Sequence, residues 1–131
     1  MTPEPVLSPS ASFIVRQTAW AHERCGDLEA AERLLRSAVE ADPSGLDLIL
    51  DLARVLVQRG HRREALSVLR GSYSRAPGAG PRLASRIAEL CHEQGDVEGA
   101  IRWYEEARQR SDPTNQACLA LRIRELELLG R

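Results

Sequence analysis

The sequence predicts an all-α fold, a stack of antiparallel helical hairpins, and three observations carry the prediction. The first is composition. The 131 residues are 43% hydrophobic but only 4% aromatic, so the core rests on Leu, Ala, Ile and Val. Ala and Leu favour helices, while the aromatic and β-branched residues of strands are scarce. The second is an internal repeat: Ala21–Ala31, Leu56–Ala65 and Cys91–Ala100 align, each with a helical stretch ending at a glycine and an alanine five residues later. Gly26, Gly60 and Gly95 lie 34 and 35 positions apart. The third is punctuation, because Pro43, Pro77 and Pro113 follow those glycines by 17, 17 and 18 positions. A lone hairpin cannot bury its apolar face, so about three such units must stack to be stable.

The elements follow in order. The first nine residues hold three prolines, and residues 1–10 are expected to be a flexible leader. Helices are expected over 11–25, 28–41, 45–58, 62–73, 82–94, 97–110 and 115–129, the first capped by Ser8 or Ser10. Asp-Pro at 42–43 and 112–113 stops a helix and opens a turn. Residues 71–81 are rich in glycine and proline, so the fourth helix is expected to end early in a loop or joint. The markers recur after each glycine: Leu35, Leu69 and Tyr104 by nine residues, Ala38, Ser72 and Ala107 by twelve.

This pattern resembles the tetratricopeptide repeat family, whose 34-residue helix-turn-helix unit has small residues at positions 8, 20 and 27, a glycine near 15, a large residue at 24 and a proline at 32. Units of about 12–45, 46–80 and 81–115 place Ala19, Ala53 and Ala88 at position 8. Residues 116–131 read as a capping or truncated first helix, and 11–131 as one repeat domain. The sequence departs from the family at position 4 (Val15, Ile49, Ala84) and position 11 (His22, Leu56, Cys91). The resemblance implies a right-handed superhelical solenoid whose first helices line a concave groove for a peptide or helix of a partner protein, a scaffold or adaptor role. It places Phe13, Arg16, Trp20, Asp47, Leu50, Arg54, Val57, Glu89 and His92 along that groove. Phe13 and Trp20 lie two helical turns apart, hence on one side. Aromatics beside arginines suit a protein hot spot, and Arg16 and Arg54 are suited to grip a carboxylate. Some family members clamp chaperone tails with lysine and asparagine, but this chain has no lysine. The alternative readings are a self-assembly element, motivated by Leu121, Ile123, Leu126, Leu128 and Leu129, or an accessory domain of a larger enzyme or regulator.

Charge and motifs exclude other classes. With 18 arginines against 19 acidic residues, nothing drives the chain generally toward nucleic acid or anionic lipid. Residues 46–80 are net basic, with six arginines and three acids, and Arg59, His61, Arg62 and Arg63 cluster at the second turn. That cluster reads as a solvated turn. No run approaches the ~20 apolar residues of a membrane helix, and the start lacks the form of a secretory signal. Cys25, Cys91 and Cys118 form no pattern, so free thiols and a cytoplasmic location are expected. No metal, cofactor or enzyme activity is expected. The His22/Cys25 and Cys91/His92 pairs lie too far apart along the stack for shared ligation, and no phosphate loop or HExxH motif is present. The partner is expected to be a protein or peptide, with a homo-oligomer as a second expectation.

Overall fold

The computed structural model describes residues 7–75 and 80–130. Most of the expected leader, residues 1–6, and the centre of the expected joint, residues 76–79 with Pro77, lie outside the described residues. Seven helices are described: α1 (Pro9–Arg24), α2 (Leu28–Ala41), α3 (Leu46–Gln58), α4 (Arg62–Arg75), α5 (Gly80–Glu93), α6 (Val97–Gln109) and α7 (Pro113–Leu129). They form two compact units, residues 1–72 and 73–131. In the first, α1 packs on α2, α2 on α3 and α1 on α3. In the second, α5 packs on α6 and α6 on α7. Each is a hairpin stack, as the repeat predicts.

The repeat positions are the packing positions. Ala19, Ala53 and Ala88 are buried, as are Ala31, Ala65 and Ala100. A methyl side chain lets helix backbones approach closely, and larger residues fill the space beside it. Leu35, Leu69 and Tyr104 are likewise buried, followed by Ala38, Ser72 and Ala107. Leu48, Val55, Leu56, Leu83, Ile87 and Leu90 complete the apolar interior. Each fully buried leucine contributes about 1.5–3 kcal/mol of transfer free energy.

The hairpin turns share one geometry. Gly26, Gly60 and Gly95 have φ of 82°, 84° and 85°. This left-handed conformation allows the next N–H to reach back: Asp27 to His22 at 2.9 Å, His61 to Leu56 at 2.8 Å and Asp96 to Cys91 at 2.9 Å. These bonds satisfy carbonyls that a helix end would leave open. The chain then re-enters a helix at once, Asp27 accepting from the Ala30 N–H and Asp96 from the Gly99 N–H.

Helix starts differ from expectation where prolines are concerned. α1 begins at Pro9 and α7 at Pro113, capped by Ser8 and Asp112 respectively. Proline has a suitable φ for the first helical position, and the N–H it lacks would have no helical partner there. Pro113 therefore opens α7 rather than closing the helix before it. Ahead of α1, the buried Asp42 accepts from the Leu7 N–H at 3.3 Å and from the Ser44 hydroxyl at 2.9 Å.

The fourth helix runs to Arg75, two residues past its expected end at 73, and Tyr73, which belongs to the second unit, is anchored there. Its ring meets Trp103 edge-on at 5.2 Å, its hydroxyl donates to Glu106 at 2.7 Å, and the Arg110 guanidinium lies 5.5 Å from its ring centre. Burial, then the bond to Glu106, raises the Tyr73 pKa above its ordinary value. Tertiary contact overrides the local preference of a Gly-Ser pair. Gly80 fits against this cluster, since a β-carbon there would lie 2.9 Å from Arg110 Cδ and 3.3 Å from the Tyr73 ring.

Ion pairs tie α2 to its neighbours. Glu32 accepts from Arg36 at 3.0 Å and Arg59 at 2.7 Å, and Arg36 also donates to Glu64 at 2.6 Å. Burial alone would raise the Glu32 pKa, but hydrogen bonds from Arg36 and Arg59 outweigh it and hold the carboxyl below its ordinary range. One arginine of the basic turn is thus committed to an internal partner.

The shared turn geometry makes a direct prediction. Nothing lies within 4 Å of a β-carbon added at Gly60, so Gly60→Ala tests backbone strain alone. Denaturant unfolding should show a loss of about 1–2 kcal/mol, with Gly60→Asn losing less. A neutral Gly60→Ala variant would contradict the left-handed turn.

Candidate functional site: the α1/α3 face

The structure brings the first-unit groove residues to one face, formed by α1 and α3. Phe13, Arg16, Gln17, Trp20, Asp51 and Arg54 line an open depression of about 300 Å³. Phe13 is 63% exposed and Trp20 51%. Ile14, beside Phe13, is 62% exposed and extends the apolar surface. Leu50 and Val57 are half-buried on α3, and Asp47 is exposed near its start. Trp20 is held from its own helix, the Arg24 guanidinium lying 4.8 Å from its ring centre. Such a cation–π contact restrains the ring from one side. Glu89 and His92 lie on α5 in the second unit, both exposed.

The arginines do not wait for a carboxylate from outside. Arg16 Nε donates to Asp51 Oδ2 at 2.8 Å, and its Nη1 lies 3.7 Å from Asp47 Oδ2. Arg54 donates to Asp51 Oδ1 at 2.9 Å. It also grips Glu23 with two bonds, Nε to Oε1 at 3.1 Å and Nη2 to Oε2 at 2.7 Å. Gln58 completes the row, donating to Glu23 at 3.4 Å. The result is an alternating line, Asp47, Arg16, Asp51, Arg54, Glu23, Gln58, across α1 and α3. The Asp51 and Glu23 side chains are each only 9% exposed, so both carboxylates depend on these donors. The hydrogen bond to Asp51 raises the Arg16 pKa despite desolvation, and that to Glu23 does the same for Arg54.

Sequence reasoning assigned no role to Asp51, and missed the committed state of Arg16 and Arg54. A usable signal existed. Asp51 is a charge inside an otherwise apolar helix face, and Arg16 lies 35 residues before it, one more than the 34 that separate Gly26 from Gly60. Opposite charges about one period apart come close together on α1 and α3, which pack on each other.

Among the described residues, no group of three or more His, Cys, Asp or Glu side chains is arranged to hold a metal ion. Cys25 and Cys118 are exposed, Cys91 is buried, and all three are free thiols. No described helix is long and apolar enough to cross a membrane.

The polar line should behave as framework. Arg54→Met removes one donor from Asp51 and two from Glu23, leaving Arg16 on the first carboxylate and Gln58 on the second. It should cost about 1–3 kcal/mol, the lower part being expected because Arg54 is itself partly exposed. Adding Glu23→Gln to Arg54→Met should recover part of that loss in thermal unfolding. If Arg54→Met leaves stability untouched, the pairing carries no structural weight.

Comparison with known proteins supports the repeat reading. Tetratricopeptide repeat models match residues 26–90 and 83–117. No curated protein matches the sequence. Among solved structures, PcrH from Pseudomonas aeruginosa is similar, with 20% identity, a TM-score of 0.71 and 96% of each chain covered. PcrH in complex with the chaperone binding region of PopD gives 21% identity, a TM-score of 0.70 and coverage of 95% of this chain and 94% of that one. A T3SS complex from Aeromonas hydrophila gives 16% identity, a TM-score of 0.72 and coverage of 92% and 83%. At these identities the likeness establishes a shared fold. Together with the family matches and the repeating buried alanines and turn glycines, it shows that this chain belongs to the tetratricopeptide repeat family.

Proposed function

We propose that this protein is a non-catalytic binding module that holds a peptide or helical segment of a partner protein against the α1/α3 face. The observation that carries the reading is the exposure of Phe13 and Trp20 beside a depression whose charged residues, Arg16, Asp51 and Arg54, are already paired. Rigid aromatics lose little entropy on binding and dominate interface energies. Leu50 and Val57 are the apolar wall of the same face, and Arg16, Asp47 and Arg54 its polar rim. Glu89 and His92 on α5 are proposed as contacts of the second unit in their own right.

A protein partner suits this face better than a nucleic acid. Its three arginines, Arg16, Arg24 and Arg54, are matched by Glu23, Asp47 and Asp51, leaving no excess positive charge to neutralise phosphates. PcrH, a protein of the same fold, has been solved with the chaperone binding regions of PopD and PopB, which supports a segment-holding role. Free thiols at Cys25, Cys91 and Cys118 suit a reducing, cytoplasmic setting.

The test is capture of a partner from native lysate by the full chain, followed by affinity measurement with the segment recovered. Phe13→Ala and Trp20→Ala alter exposed side chains, so helicity and melting should hold. Each truncation of a binding anchor costs about 2 kcal/mol or more. The double variant should therefore lose the partner that the parent chain captures. Equal affinity for both proteins would remove the α1/α3 face as the site.

A further inference from the structure

The lining of the α1/α3 depression limits what can enter it. Its charged side chains, Arg16, Asp51 and Arg54, are already paired with one another or with their neighbours. A charged occupant would compete with those pairs, so electrostatic complementarity selects an uncharged one. The other lining residues are Phe13, Gln17 and Trp20. They stand on successive turns of α1, within about 60° of arc, and all three are exposed. Unlike Arg16 and Arg54, Gln17 has no hydrogen-bond partner among the described residues. An occupant that covers Phe13 and Trp20 also covers this carboxamide between them. A covered amide that exchanges water for nothing costs affinity, so the occupant must supply a hydrogen-bonding group at that point.

Spacing then selects the conformation. Phe13 and Trp20 lie seven residues apart, a rise of about 10.5 Å along the helix. Side chains on one side of a β-strand recur at about 6.6 Å and about 13.2 Å, and neither interval fits. An α-helical occupant has side chains at the right interval. Its carbonyls, however, are bonded within its own turns, so its backbone offers nothing to Gln17. A polyproline II segment has three residues per turn and rises about 3.1 Å per residue, so same-side residues recur at about 9.3 Å, and every carbonyl is free. Proline rings suit aromatic surfaces, and the preset backbone loses little entropy on docking. We infer that the occupant of the depression is an uncharged polyproline II segment of a partner protein, an inference that rests on the reading of this face as a binding site. Prolines three residues apart lie on Phe13 and Trp20, and a carbonyl between them accepts from the Gln17 amide. Gln17 is thereby a specificity-determining residue, which favours a segment with open backbone over a helix.

The test uses two uncharged synthetic probes on the full, isotope-labelled chain. One is acetylated and amidated decaproline. The other is a helical peptide of alanine and glutamine with leucines seven residues apart. Each is added to about 10 mM while the indole N–H signals of Trp20 and Trp103 are followed by magnetic resonance. Decaproline should move the Trp20 signal, leave that of Trp103 in place and bind more tightly than the helical probe. Phe13→Ala should weaken this binding about tenfold or more. Gln17→Leu should weaken it about three- to tenfold, although leucine adds apolar area. No shift with decaproline, tighter binding of the helical probe, or a Gln17→Leu protein that binds decaproline as well as the parent would each overturn the inference. The reading of the face as a binding site falls with it only if Phe13→Ala and Trp20→Ala also leave partner capture unchanged.

Discussion

Close approach of helices at buried alanines is the constraint on which the rest of this structure depends. Ala19, Ala53 and Ala88 on the first helices and Ala31, Ala65 and Ala100 on the second are almost wholly inaccessible. A larger side chain at any of them would push two backbones apart, and overpacking of a close-packed interior costs about 1–3 kcal/mol. The turn glycines serve the same end. Their left-handed conformation reverses the chain within two residues, so each second helix lies back along its first. With backbones fixed this closely in the first unit, α1 and α3 lie side by side, and a surface is built from residues about one period apart.

That register explains the electrostatics of the α1/α3 face. Arg16 reaches Asp51, and Glu23 reaches Gln58, each across 35 residues. The face therefore carries a closed line of paired charges rather than a field of one sign. Paired, shielded charges give position and rigidity more than affinity. What the line leaves uncommitted is apolar: Phe13, Ile14 and Trp20 project beside it. The division of labour is physical. Polar residues hold α1 to α3, and Phe13, Ile14 and Trp20 stay exposed beside them.

Much of this was legible in the sequence. Gly26, Gly60, Gly95 and the alanines that follow them mark both the turns and the core, because φ and side-chain volume are local demands that few residue types meet. The exposure expected at Trp20 and Phe13 follows from the same register. Three things were less legible, each for a physical reason. Pro9 read as part of the leader and Pro113 as a breaker, although proline equally suits a helix start. The glycines and prolines of 71–81 read as ending α4 at 73, whereas Tyr73, held by Trp103 and Glu106, sits in a helix that continues to Arg75. Arg16 and Arg54 read as open to a ligand, because their acceptors lie on another helix and composition does not reveal tertiary pairing.

The central claim is that the arginines of the α1/α3 face are structural and that recognition is apolar. The most direct measurement is the salt dependence of affinity for the captured partner segment. Surface charge attraction is screened as the Debye length falls from about 10 Å at 0.1 M to about 3 Å at 1 M salt, whereas burial of aromatic area is not. The account predicts an affinity that changes little across that range. A steep loss of affinity with salt, accompanied by equal binding of the Trp20→Ala protein, would contradict it.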